Sequence, residues 1–352
     1  MSNALNSIRQ AATQAGLQTT TTTIAEVDLG LTGDQIQMPD GSTIVPPAVM
    51  GRPIHELVCD LIDWEHPARS RFVRLVGPPG TGKSRIARAI AHHAWTVRQN
   101  KPVQTRHGQP FYGLVELSPG PSSDELFFRY EFVPDPADAT RINLVESTFV
   151  EAMRNGWMVV IDEVNVARDV ALLSINATLD GRLTLHLPAT GETVIAQPGF
   201  AVLLTYNPGL VGQSDLPEAW YSRFPASIEV RSNWAALAQQ RPTHERLVKA
   251  AKKLDDRRVS GSMSGNQLAW SPQYREIDGL ADMIDRVGDQ IAVALFVSDL
   301  LERSTTGQEI GPAEVDAVCG LLDDADLSHL KVDPAQFGAV KTVGGYPAAL
   351  AG

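Results

Sequence analysis

The chain has 352 residues, 43% hydrophobic and 20% charged, with a net charge of −11. That length allows about two domains plus tails, and the composition is ordinary for a folded protein. The acidic balance argues against wholesale wrapping of nucleic acid, although it leaves room for a local basic groove. No apolar stretch reaches the length of a membrane span, and the N-terminus lacks a basic region followed by an apolar core. A cytoplasmic protein without membrane contact is expected. Cys59 and Cys319 are the two cysteines; they lack metal-ligand spacing and read as buried thiols.

Residues 1–48 read as a partly disordered N-terminal arm. Ser7–Leu17 suits a short helix, Thr19–Thr23 is a run of five threonines, and Asp40-Gly41 marks a hairpin-type turn. Either a small β-arm or an extended segment against a neighbour is expected there. An α/β unit follows over 49–232. Its predicted strands are Phe72–Val76, Leu114–Leu117, Met158–Ile161, Ala201–Thr205 and Ser227–Val230. Helical spacing lies between them in Ile86–Val97, Ile142–Arg154 and Asp169–Leu179. Continuous apolar strands separated by helices imply a parallel sheet covered on both faces. A hairpin insert near 118–138 and a second hairpin near 183–196 interrupt the alternation. From Asn233 the pattern is wholly helical, in Trp234–Leu254, Ile277–Val287 and Ile291–Leu301. An all-helical domain is predicted over 233–331, and 332–352 reads as a loose tail.

Directly behind the first strand stands Gly77-Pro78-Pro79-Gly80-Thr81-Gly82-Lys83-Ser84. This is a complete phosphate-binding loop (Walker A) between a strand and a helix. The glycines let backbone N–H groups turn inward around phosphate oxygens. Lys83 brings a mobile positive charge to the outer phosphates, and the Ser84 hydroxyl is a Mg²⁺ ligand. The helix from Ser84 points the positive end of its dipole at the anion. Nucleotide binding is therefore expected.

Asp162 and Glu163 end the strand Met158–Ile161, 79 residues beyond Lys83 (162 − 83). A strand ending in two carboxylates (Walker B) places them at the carboxyl edge of the sheet, beside the loop. Asp162 is expected to hold the Mg²⁺ shell through water and Glu163 to polarise the attacking water.

The stretch Asp162-Glu163-Val164-Asn165-Val166-Ala167-Arg168, followed by Leu172–Arg182, resembles AAA+ ATPases of the MoxR type, in the CbbQ/NorQ-like branch of the helix-2-insert group. The family continues with a short hairpin, here Leu183–Leu187 and Thr193–Ala196. A strand ending in Asn-Pro comes next, here Phe200 to Asn207-Pro208. The resemblance assigns Asn207 as sensor 1, ordering the water or touching the γ-phosphate. Leu216-Pro217-Glu218-Ala219 with Arg223-Phe224 is similar to the segment that carries the family's arginine finger. Arg223 takes that position, acting in trans on the γ-phosphate held by the next subunit, a contact worth about 10³–10⁵ in rate where measured. A homo-oligomeric ring, a hexamer, is implied. Ser271-Pro272-Gln273-Tyr274-Arg275-Glu276 resembles the family's sensor-2 helix start with its arginine two residues late. Arg275 is the first choice for sensor 2 and Arg286 the second.

The fold implied is α/β, a P-loop AAA+ core with a parallel five-stranded sheet, followed by a small all-helical lid domain. The function implied is Mg²⁺-dependent ATP hydrolysis that drives remodelling of a protein complex, often with a partner bearing a von Willebrand A domain. Val49–His55 carries no pattern that decides between ATP and GTP, and Asp162-Glu163 favours ATP. Within the insert, Phe127, Phe128, Tyr130 and Phe132 form an aromatic cluster for a central pore, with Arg129 beside it. They would grip a polypeptide or stack on single-stranded bases, or else pack on the domain core. Arg241–Arg258 holds seven basic residues against three acidic ones. It reads either as a phosphate-binding patch or as a solvated helix face. A DNA-associated motor or recombination accessory, phage- or mobile-element-encoded, and a slow nucleotide-gated scaffold are the rival functions. His92 and His93 are adjacent on a helix and read as structural.

Overall fold

The computed structural model describes residues 35–49, 51–62, 64, 72–98, 114–116, 128–133, 141–164, 175–176, 178–207, 218–224, 226–261, 268–305, 310–327, 342–343 and 346–347. β1 (Ile36–Gln37) and β2 (Thr43–Ile44) pair antiparallel across the Asp40-Gly41 turn. The Met38 N–H donates to the Ser42 carbonyl at 2.8 Å, and the Asp40 carboxylate accepts from the Ser42 N–H and hydroxyl. This hairpin buries Ile36, Met38 and Ile44 against Ala89. It packs on a helix of its own chain. β3 (Ala48–Val49) and β4 (Arg52–Pro53) form a second hairpin that runs into α1 (Ile54–Leu61).

β5 (Phe72–Val76) leads through the glycine-rich loop into α2 (Lys83–His93), which continues as one π-helical turn, Ala94–Arg98. β6 (Leu114–Glu116) follows, then an antiparallel pair, β7 (Phe128–Val133) and β8 (Arg141–Glu146). After these come α3 (Thr148–Asn155), β9 (Met158–Asp162), the hairpin of β10 (Thr184–Leu187) with β11 (Glu192–Ile195), and β12 (Ala201–Tyr206). α4 (Glu218–Arg223) and β13 (Ala226–Glu229) complete the α/β part.

The main sheet has the order β13-β5-β12-β9-β6, and every neighbouring pair is parallel. All residues of β9 and β12 are buried, as strands covered on both faces must be. The predicted helix Ile142–Arg154 is half strand. Residues 141–146 pair with β7 in a six-residue ladder, and the helix starts only after Ser147, whose hydroxyl accepts from the Val150 N–H. It stops at Gly156, φ +64°. Cross-strand pairing with β7, the preceding strand, overrides the apolar helical spacing. The hairpin therefore extends to Glu146, beyond the expected insert at 118–138. Most of the predicted helix Asp169–Leu179 lies outside the described residues.

α5 (Trp234–Gln240) begins at Asn233, whose side-chain oxygen accepts from the Ala236 N–H at 2.9 Å. The single helix expected over Trp234–Leu254 is two. Pro242 opens a 3₁₀ turn, Pro242–His244, before α6 (Glu245–Gly261), because proline has no N–H to continue the helix. α7 (Tyr274–Val287), α8 (Asp289–Thr305) and α9 (Pro312–Asp324) follow. In the predicted tail, β14 (Thr342–Val343) pairs with β15 (Tyr346–Pro347).

Two hydrophobic cores result. One runs from Ile54 to Val230 around the sheet and the other from Trp234 to Ala325 among the helices. Large side chains such as Trp220, Phe149, Phe200 and Trp95 are fully buried in the first, each contributing about 1.5–3 kcal/mol.

Candidate functional site

Strand order builds the site. β12 lies between β5 and β9, so Gly77–Gly82, Asn207 and Glu163 leave three adjacent strands at one carboxyl edge, where open α/β sheets bind ligands. The loop needs its glycines. A Cβ on Gly77 would lie 2.3 Å from the Val230 carbonyl oxygen, and Gly80 and Gly82 have φ of +82° and +85°. Gly82 caps α2 with no side-chain hydrogen bond, which leaves the first-turn N–H groups for an anion. Such a cradle fits a phosphate chain, and Ser84, in the first turn of α2, fits a Mg²⁺ ligand.

Lys83 is buried. Its Nζ donates to the carbonyls of Gly77 (2.9 Å) and Pro78 (2.6 Å) and reaches Thr81 Oγ1 at 3.5 Å. Burial pulls its pKa down to about 8; Asp162 and Glu163 oppose that shift, and Arg275 reinforces it. One lysine thus feels both carboxylates and the arginine from the helical part of the chain.

Asp162 is buried, and Glu163 follows with φ +48°, a left-handed conformation uncommon outside glycine. Thr205 was missed in the sequence. Its hydroxyl donates to Asp162 Oδ1 at 2.5 Å and accepts from the Glu163 N–H at 2.8 Å. A threonine within the otherwise apolar run Ala201–Leu204 was the available signal, since a polar group buried in a central strand needs a partner. Asn207, also buried, follows β12 directly.

Beside the loop lies a cavity of about 320 Å³, walled by Ile44 and Pro47, floored by Gly82 and Ile86, and closed by Ala236 and Tyr274. It reaches the size of a small-molecule site. The β1–β2 hairpin folds back over α2 and lends residues 43–45 and 47 to this cavity.

The helical part touches the loop at Arg275, whose backbone N–H donates to the Gly80 carbonyl at 3.1 Å. A buried polar network sits behind it. Asp255 accepts from Trp234 Nε1, Arg258, Ser271 Oγ and Gln273 Nε2. Gln273 Oε1 accepts from the Ser232 hydroxyl, which accepts from the Tyr274 N–H. This holds the start of α7 against the strand-to-helix connection at Ser232. Arg286, by contrast, is exposed and pairs with Asp282 at 2.7 Å.

Arg223 ends α4. Trp220 stacks on Phe224, donates from Nε1 to Asn176 Oδ1 at 3.0 Å, and Arg74 lies over the Tyr221 ring at 4.7 Å. These contacts fix the short helix that carries Arg223. Its charge reaches Asp180, whose carboxyl is held low chiefly by Arg182 and also by Arg223.

Five of the seven basic residues in Arg241–Arg258 are ion-paired: Arg241 with Asp278, Arg246 with Asp326, Lys249 with Glu245, Lys253 with Asp324 and Arg258 with Asp255. His93 packs edge-on against His55, and burial lowers the His92 pKa. Among the described residues no cluster of three metal-ligating side chains occurs, and no helix is long and apolar enough to cross a membrane. Phe127 lies outside the described residues, as do the side chains of Phe128, Arg129 and Tyr130.

Residues 73–224 match the AAA domain of the dynein-related subfamily. The uncharacterized protein SERP0979 of Staphylococcus epidermidis is 30% identical over 247 residues, 68% of this chain and 88% of that protein. The uncharacterized YojN of Bacillus subtilis is 30% identical over 157 residues, 45% of this chain and 47% of that protein. The uncharacterized SSP1341 of Staphylococcus saprophyticus is 28% identical over 155 residues. The chain thus matches about half the length of YojN and of SSP1341, 47% and 54%. With nearly all of SERP0979 matched, the chain belongs to one family with that staphylococcal protein, and its residues 73–224 carry an AAA domain of the dynein-related subfamily.

Proposed function

We propose that the chain hydrolyses ATP with Mg²⁺ in a homo-oligomeric ring and uses the cycle to remodel a protein complex. The observation that carries this reading is buried Lys83 held in a glycine cradle, with Asp162 and Glu163, joined by the Thr205 hydroxyl, at the same sheet edge and the Arg275 N–H on the Gly80 carbonyl. The cradle N–H groups and Lys83 bind the phosphates, and the adjoining cavity takes the nucleoside. The Ser84 hydroxyl, and Asp162 through water, would hold Mg²⁺, which when bound would supply charge neutralisation at the phosphate oxygens. Glu163 accepts the proton of the attacking water, and Asn207 orients that water. Catalysis is then mostly positioning and charge stabilisation.

Arg223 supplies the remaining charge from a neighbouring subunit. The packing that fixes the short helix bearing it, through Trp220, Tyr221 and Phe224, supports a preset position for this arginine. The all-helical unit over 233–331 serves as a lid, with Arg275 as sensor 2 on Gly80. The MoxR-type ATPases that the sequence resembles act on protein assemblies, and a protein target with a von Willebrand A domain partner is proposed for this chain. Ion pairing of most of Arg241–Arg258 supports it over a nucleic-acid target, because those charges are already matched.

Mixing two inactive proteins tests the shared site. Lys83→Ala removes the cis pocket and Arg223→Ala the finger. If Arg223 acts in trans, mixing restores phosphate release at interfaces where an intact finger meets an intact pocket. Additive inactivity across all mixing ratios, with oligomers confirmed by mass photometry, contradicts it.

A further inference from the structure

Thr205 is 1% exposed in the middle of the sheet. A hydroxyl has one hydrogen to donate and lone pairs to accept with, and here both capacities serve the two acidic residues. The hydrogen goes to Asp162 Oδ1 at 2.5 Å, and the oxygen receives the Glu163 N–H at 2.8 Å. Glu163 has φ +48°, so the strand turns sharply at the residue whose carboxylate must face the loop. Strained backbone persists only where surrounding contacts hold it, and the Thr205 hydroxyl is a direct hold on that peptide.

We propose that Thr205 is a positioning residue for nucleotide hydrolysis, fixing the Asp162 carboxylate and the Glu163 backbone through one hydroxyl. Only one Asp162 oxygen is committed to Thr205, which leaves the other for the metal's water. Because Thr205 stands two residues before Asn207 on β12, the same strand end sets the water-orienting amide and both carboxylates. The role rests on the reading of Asp162 and Glu163 as the hydrolytic pair.

The test compares Thr205→Val, Thr205→Ala and Thr205→Ser in the full chain, with Glu163→Gln as reference. Phosphate release is measured against ATP and against Mg²⁺. Loss of the hydroxyl should lower kcat about 10–100-fold and raise the Mg²⁺ needed for half-maximal rate, as removal of an outer-shell partner does. KM for ATP should stay near that of the wild type, and Thr205→Ser should restore kcat. A purely structural role would instead scale kcat with the folded fraction and leave the Mg²⁺ requirement unmoved. If Thr205→Val does not fold, the smaller Thr205→Ala gives the same reading. Wild-type kcat and Mg²⁺ dependence in a hydroxyl-free variant, with Glu163→Gln inactive, overturns the role of Thr205 alone. A Glu163→Gln protein with wild-type turnover overturns the hydrolytic pair and the proposal with it.

Discussion

Nucleotide binding should draw a proton onto Lys83. Burial between the Gly77 and Pro78 carbonyls takes this side chain from 10.5 down to about 8. A triphosphate in the loop sets several negative charges beside the ammonium and returns its pKa to the ordinary range. At pH 8 the free protein then carries the proton on about half its molecules and the complex on nearly all, an uptake of about half a proton per site. At pH 9 the uptake approaches about 0.9 proton, and affinity between pH 7 and 9 falls about tenfold, or about 1.4 kcal/mol. The sign follows from the neutral form being favoured in the free folded state. By the same sign, unliganded stability rises as pH climbs from about 8 toward 10.5, where the unfolded chain still holds the proton. Calorimetric titration of the Glu163→Gln protein with MgATP, in two buffers of different ionisation heat, reads the proton number directly. Lys83→Arg keeps its charge at every working pH and should show none of this uptake. Zero uptake at pH 8.5 with Lys83 intact, or equal uptake with arginine in its place, would refute the reasoning.

Gly77→Ala should cost about 1–3 kcal/mol by overpacking, since its Cβ meets the Val230 carbonyl at 2.3 Å. A urea midpoint equal to the wild type's contradicts that. Asp255→Ala should cost about 3–5 kcal/mol, because it strands Arg258 and breaks the contacts to Trp234, Ser271 and Gln273. Hydrogen exchange should then accelerate in α6 and at the start of α7 while β9 and β12 stay protected. Trp220→Ala should cost about 3–5 kcal/mol and lower turnover by loosening the helix that bears Arg223, while nucleotide affinity is retained. Unchanged turnover with a lowered melting temperature removes the link between α4 and catalysis.

The core strands were legible because β9 and β12 are nearly continuous apolar runs, a pattern that burial on both faces imposes, and β5 is apolar but for Arg74. The loop was legible because its glycines serve backbone geometry that no other residue supplies. Residues 141–154 misled, because their apolar spacing fits a helix and only pairing with the preceding strand, β7, turns half of them into a strand. Pro242 was visible, yet its break was smoothed over by apolar spacing on either side. Thr205 and Asp255 were not singled out, since neither belongs to a motif and each gains its meaning from partners far along the chain. The wall of the cavity at 43–47 was missed for the same reason, a hairpin folding back across α2. The paired state of Arg241–Arg258 also needed three dimensions, because five of its partners, Asp278, Asp282, Asp285, Asp324 and Asp326, lie on or next to other helices.

Steady-state phosphate release with ATP and Mg²⁺, for the wild-type chain and for Glu163→Gln, tests the central claim most directly. The account predicts turnover by the wild type, and for Glu163→Gln undiminished ATP binding with a rate lower by about 10²–10⁴-fold, the usual worth of a positioned base. Equal rates in the two proteins, or ATP binding that survives Lys83→Ala unchanged, would contradict it.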